Sequence, residues 1–128
     1  MDNRIVKTLN DILSAINEIE SFFSIYPKRF DVFCSNALLR RGIQMNIAII
    51  GEATNRILKI NPQIKITKAR KIVDTRNYLI HGYDSVSPDM LWAIVIKHLP
   101  LLKSEVLEIL SESGQMSPDD TFSGDMIE

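Results

Sequence analysis

Ile5-Val6-Lys7-Thr8-Leu9-Asn10-Asp11-Ile12-Leu13-Ser14-Ala15-Ile16-Asn17-Glu18-Ile19-Glu20-Ser21-Phe22-Phe23 carries apolar residues at Ile5, Leu9, Ile12, Leu13, Ile16, Ile19 and Phe23, in steps of three and four. That spacing is the period of a helix with one buried face. It predicts a first helix over about residues 3 to 24, which needs partners to cover its stripe. Pro27 punctuates the turn that follows, and Phe30 to about Leu58 reads as a long second helix whose centre, Ile43 to Ile50, is apolar enough to be buried on most sides. Gly42 and Gly51 interrupt it. Each costs about 1 kcal/mol relative to Ala in a helix, a cost that close approach of a neighbouring helix would offset. Lys59-Ile60-Asn61-Pro62-Gln63 breaks the pattern, and Thr67 offers the N-cap of a third helix over 68–81. Ser87-Pro88-Asp89 supplies a cap, a first-turn proline and an acid at the positive end of a helix dipole, so a fourth helix runs to about Leu110. No strand alternation, internal repeat or Gly-rich phosphate loop is present. The fold class is all-α, an up-and-down bundle of about four main helices.

A chain of 128 residues, 45% of them hydrophobic, supports one domain with one continuous core and leaves no room for a second catalytic domain. The helical domain spans 1–111. Residues 112–128, with Gly114, Pro118, Gly124 and five acids but no Lys or Arg, read as a disordered acidic tail. No run approaches the ~18 apolar residues of a membrane span, so the expectation is a soluble, cytoplasmic chain with no membrane partner. Cys34, the single cysteine, excludes an internal disulfide and a cysteine-built zinc site, and beside Phe33 it reads as a core thiol. The formal charge of −1 hides an uneven division: residues 1–111 hold 15 basic against 11 acidic groups, leaving the body about +4. That excess suits either an RNA footprint or a solvated mixed surface.

Arg76-Asn77-Tyr78-Leu79-Ile80-His81-Gly82-Tyr83 concentrates the chemistry. Arg holds phosphate oxygens bidentately and keeps its charge, and His exchanges protons near neutral pH. Together they suit phosphodiester cleavage without a metal or cofactor. At roughly 100° per residue Arg76 and Tyr83 share a helix face, whereas Arg76 and His81 lie about 140° apart. Convergence needs either a helix end near Gly82 that lets His81 swing round, or a second copy of the chain across a two-fold axis. Blander roles exist for each residue. His81 and His98 could be structural, Arg76 could pair with Asp74 or Asp84, Asn77 could be a surface amide or could orient His81, and Tyr83 could simply pack. Asp74, seven residues before His81, is a further candidate to orient it. Glu52 has Arg40, Arg56 and Arg76 within its choice of partners, and Trp92 and Phe22-Phe23 sit at core spacing.

The Arg76, Asn77, His81 and Tyr83 pattern resembles the R-x-x-x-x-H-x-Y signature of HepT-like toxins in the HEPN superfamily. Ile49-Ile50-Gly51-Glu52-Ala53 upstream, and Leu91-Trp92-Ala93-Ile94-Val95 through His98-Leu99-Pro100 downstream, resemble flanks of the same family in the same order. The resemblance covers roughly residues 5 to 110. Met45 and Ala48 stand where many relatives carry an Arg and a Glu. The resemblance implies a HEPN-like helical bundle acting as a metal-independent endoribonuclease toxin. Its homodimer cleft would hold Arg76 and His81 as catalytic residues with Asn77 beside them, and helix spacing adds Asp74 as a supporting candidate. It further implies a nucleotidyltransferase-fold antitoxin that adds AMP to Tyr83 as the regulatory site. The competing reading is a non-catalytic helical module that partners such a transferase.

Overall fold

The computed structural model describes residues 1–82 and 86–114, and among these the chain is helical without a strand. The elements are α1 (Asn3–Phe22), α2 (Phe30–Ser35), α3 (Ala37–Ile60), α4 (Ala69–His81), α5 (Pro88–Ala93), a π-helical turn (Ile94–His98) and α6 (Leu99–Glu112). Because α5, the π turn and α6 follow without a break, four long helical bodies and one short helix make up the bundle.

α1 starts where Asp2 accepts a hydrogen bond from the Arg4 backbone N–H at 2.7 Å. The Arg4 guanidinium grips the same carboxylate, and these two bonds hold the Asp2 carboxyl down at about 2. The predicted stripe faces inward, with Ile5, Leu9, Ile12, Ile16 and Ile19 all buried. At about 1.5–3 kcal/mol for each fully buried aliphatic side chain, this stripe rather than intrinsic propensity holds α1 in place. α3 crosses it antiparallel: Phe22 lies against Gly42, Glu18 accepts from the buried Asn46 amide at 3.0 Å, and Asp11 lies 4.0 Å from Arg56.

The long second helix expected from Phe30 to Leu58 is two helices. Asn36 adopts extended backbone (φ −115, ψ 97) and its side chain accepts from the Leu39 N–H at 3.0 Å, so it caps α3 instead of continuing α2. Arg40 reaches back and donates to the carbonyls of Phe33 and Cys34 at the end of α2, the former also accepting from the Asn36 N–H. Turning the chain here drives Phe33 fully into the core and leaves Cys34 half-buried rather than in the core. Trp92 meets the rings of Phe33, Phe30 and Phe23 at centroid distances of 5.2, 5.9 and 6.1 Å, so this aromatic cluster is packing that joins α2 and α5 to the end of α1.

Thr67 does not cap α4. Its N–H and hydroxyl both donate to the Glu105 carboxylate on α6, and Lys68 flanks the helix without a side-chain cap. α5 begins as its sequence requires, with Ser87 Oγ accepting from the Met90 N–H at 3.1 Å. The rod then widens at Ile94–His98, where the Leu99 N–H bonds to the Ile94 carbonyl. Pro100 accounts for this: it has no N–H to donate and its ring would press on the carbonyl four residues back, a conflict that a π turn absorbs.

α4 packs on α3, α3 on α1, and α1 on α6, while α5 bridges α2 and α3. Among the described residues no helix is long and apolar enough to cross a membrane. The acidic tail lies from residue 115 onward outside the described residues, as does the Tyr83–Ser85 segment that holds the candidate regulatory tyrosine.

Candidate active site

Gly51 decides where Arg76 sits. A Cβ built on Gly51 would stand 2.1 Å from the Arg76 Cβ and 3.2 Å from the Ile72 carbonyl oxygen, so α4 presses on α3 at a distance only glycine permits. The close approach expected of Gly51 is thus made by the very helix turn that carries the candidate phosphate-binding arginine. Gly42 serves a milder version of the same purpose against the Phe22 ring.

From this seat the Arg76 guanidinium donates to Glu52 Oε1 at 2.5 Å and to Asn77 Oδ1 at 2.8 Å. Glu52 lies 3.8 Å from Arg56, which lies 4.0 Å from Asp11, and Asp11 also pairs with Lys7 at 2.8 Å. A line of alternating charge therefore runs from α1 across α3 to α4 and ends on Arg76. The choice left open for Glu52 falls to Arg76, with Arg56 second, while Arg40 is occupied at the end of α2. This line does not use positions 45 and 48: Met45 is exposed and Ala48 half-buried. The Arg76 side chain is about a quarter exposed (26%), and its Nε is buried without an acceptor among the described residues. Such an unmet donor costs on the order of 1–3 kcal/mol.

His81 is the last residue of α4 and is exposed, with Gly82 following at φ −123. The helix thus holds its form through His81 and ends at Gly82, so of the two routes to convergence the swing of His81 within one chain is not the one seen. Within one chain Arg76 and His81 keep their separation of about 140° around the axis. Asp74 and Asn77 are exposed on the stripe that leads to His81, but neither touches it among the described residues. Asp74 is two turns away, about 10 Å along the axis. Asn77 is turned to Arg76 instead. Glu52 is the residue that sequence reasoning left outside the site; its signal was its place beside Gly51 and its i,i+4 spacing to Arg56. No three His, Cys, Asp or Glu side chains among the described residues lie close enough to hold a metal ion.

The family model for ribonuclease HepT-like proteins matches residues 12–109, which takes in every element that builds this seat. The chain belongs to the HepT-like ribonuclease family. By that membership it is an RNase built on a helical bundle. It is 32% identical over 108 residues to a Methanocaldococcus jannaschii protein named "Putative RNase", covering 83% of this chain and 97% of that one. A second protein of the same organism, named "Gamma-glutamylcyclotransferase and putative RNase", is 30% identical over 105 residues, and there the HepT-like chain spans only 46% of the relative. A Caldanaerobacter subterraneus protein named "Putative RNase" is 30% identical over 84 residues, covering 65% of this chain and 75% of its own. No solved structure gives a significant match.

Proposed function

We propose that this HepT-like chain is a metal-independent endoribonuclease that works as a homodimer, with Arg76 and His81 of both copies in one cleft. The observation that carries the reading is the Gly51–Glu52 seat, which fixes Arg76 on the helix whose exposed end is His81. His81 takes the proton of a ribose 2′-hydroxyl, and the 2′-oxygen attacks the adjacent phosphorus. The bond from phosphorus to the 5′-oxygen breaks, and that oxygen leaves with the proton that His81 has taken up. Arg76 stabilises the charge growing on the phosphoryl oxygens, a contribution typically worth a few kcal/mol when the cation is preorganised. Asn77, already bonded to Arg76, sets the guanidinium plane. The products are a 2′,3′-cyclic phosphate and a 5′-hydroxyl. DNA, lacking the nucleophile, is inert.

The divergence of Arg76 and His81 on an unbroken helix supports the two-copy cleft, since a two-fold axis supplies the complementary pair. In this reading the protein is a cytoplasmic toxin held in check by a nucleotidyltransferase-fold antitoxin that transfers AMP to the Tyr83 phenol. A nucleotide two residues from His81 puts bulk and negative charge where substrate phosphate must bind. The test is RNA cleavage in excess EDTA. Wild type should cut RNA and leave cyclic phosphate ends, and Arg76→Ala and His81→Ala should each remove most activity with helix content intact. Cleavage that needs added magnesium would refute the mechanism, and full activity of His81→Ala would leave the non-catalytic binding module as the better reading.

A further inference from the structure

α4 packs on α3, and the rod of α5, the π turn and α6 packs on α1, α2 and α3, but α4 and the rod do not pack on each other. The wedge left between them is a cavity of about 280 Å³. Its walls are aliphatic: Ile47 and Ile50 from α3, Ile72 from α4, and Met90, Ile94 and Leu102 from the rod. With about 30 Å³ per water-sized group, it has room for roughly nine such groups.

Charge gathers at its edge. Lys71 reaches it from α4 and Lys68 from the residue just before that helix, and His98 and Glu105 reach it from the rod. Glu105 accepts from the Thr67 N–H and hydroxyl, which turn its carboxylate toward the start of α4 but leave its charge in place, so the edge carries two lysines against one carboxylate. Lys68 and Lys71 are exposed, and among the described residues their ammonium groups pair with no carboxylate. The His98 imidazole, held below its ordinary range by burial and then by Lys68, Lys71 and Lys97, reports the positive field they create. An apolar hole beneath an edge with one cation in excess favours an occupant with an anionic head. A neutral amphiphile would leave the lysines unmatched. A nucleotide would match them but bury base and ribose polar groups against isoleucine, at a cost of a few kcal/mol for each lost hydrogen bond.

We propose that this cavity binds a small amphiphilic anion, with an unbranched apolar body of roughly nine carbons between α4 and the rod and one carboxylate head on Lys68 and Lys71. The site is separate from the Arg76 seat, which faces α3, and does not depend on the nuclease reading.

Calorimetric titration of the full chain with decanoate, below its micellar concentration, tests this. One decanoate should bind per chain. Lys68→Glu with Lys71→Glu, both on exposed side chains, should weaken it at least tenfold, and Ala93→Phe, which fills the cavity from α5, should abolish it. Decyltrimethylammonium, with the same tail and opposite head, should bind at least tenfold more weakly than decanoate. The proposal is overturned if decanoate fails to bind wild type, if the cationic probe binds as well, or if the double Lys variant binds decanoate unchanged. It is also overturned if decanoate binds only as light scattering shows dimers separating, since a second copy would then be the occupant.

Discussion

At the scale of single residues, the site depends on a side chain that is missing. The Cβ of an alanine at 51 is fixed by the backbone and cannot rotate away from the Arg76 Cβ at 2.1 Å or the Ile72 carbonyl at 3.2 Å, so α4 itself must move. Gly51→Ala should therefore cost about 1–3 kcal/mol in urea denaturation, as overpacking does, and should lower cleavage by more than that loss of fold predicts, because Arg76 leaves its seat. Gly42→Ala is the control: its Cβ meets only the edge of the Phe22 ring at 3.0 Å, a side chain that can shift, and cleavage should survive. Tyr83 tests a different residue-level claim. Tyr83→Phe keeps the ring and removes the attacking oxygen, so the variant should cleave RNA yet escape silencing when co-expressed with the cognate transferase, with no AMP mass on the peptide. Equal silencing of both proteins would assign inhibition to binding or to another residue.

At the scale of elements, what could be read in the chain was what periodicity controls. The stripe of α1, the Ser87-Pro88-Asp89 start and the glycine contacts follow from local spacing, and the structure has them. The break at Asn36 and the fate of Thr67 were not legible, because each depends on a partner distant in sequence or on competition between two caps. Asn36 caps α3 while Arg40 donates to the Phe33 and Cys34 carbonyls behind it, and Thr67 is drawn off by Glu105, 38 residues away. The site divides in the same way. Arg76 and His81 stand out as residue types, but the choice of Glu52 as anchor needed the packing of α3 on α4. The π turn carries its own prediction. His98 is kept below its ordinary range by burial and by Lys68, Lys71 and Lys97, so the unfolded chain takes up a proton on this group at a higher pH than the folded chain does. Its contribution to stability is full above about pH 6.5 and is lost as pH falls through the lower folded value. The melting temperature should drop between pH 7.5 and 5 by more in wild type than in His98→Gln. An equal drop in both would show that His98 does not titrate with folding.

At the scale of the whole molecule, one copy presents an arginine seated toward α3 and a histidine exposed at the end of α4, on opposed sides of one continuous helix. A chain of this kind either uses the two groups separately or completes the site with a second copy, and mixing variants separates these cases. Arg76→Ala and His81→Ala proteins, each inactive alone, form a mixed dimer in which one copy retains Arg76 and its partner retains His81. If a working cleft draws Arg76 from one protomer and His81 from the other, statistical exchange should restore about a quarter of wild-type activity, since half the dimers are mixed and each keeps one of two equivalent pairings. Light scattering should give a mass of about twice 14.6 kDa for wild type and for each variant. Restoration would require the shared cleft, because two defective monomers acting independently gain nothing from being mixed. A mixture as inactive as its components, with subunit exchange shown by mass, would place Arg76 and His81 of the same chain in one site and remove the reason for the dimer.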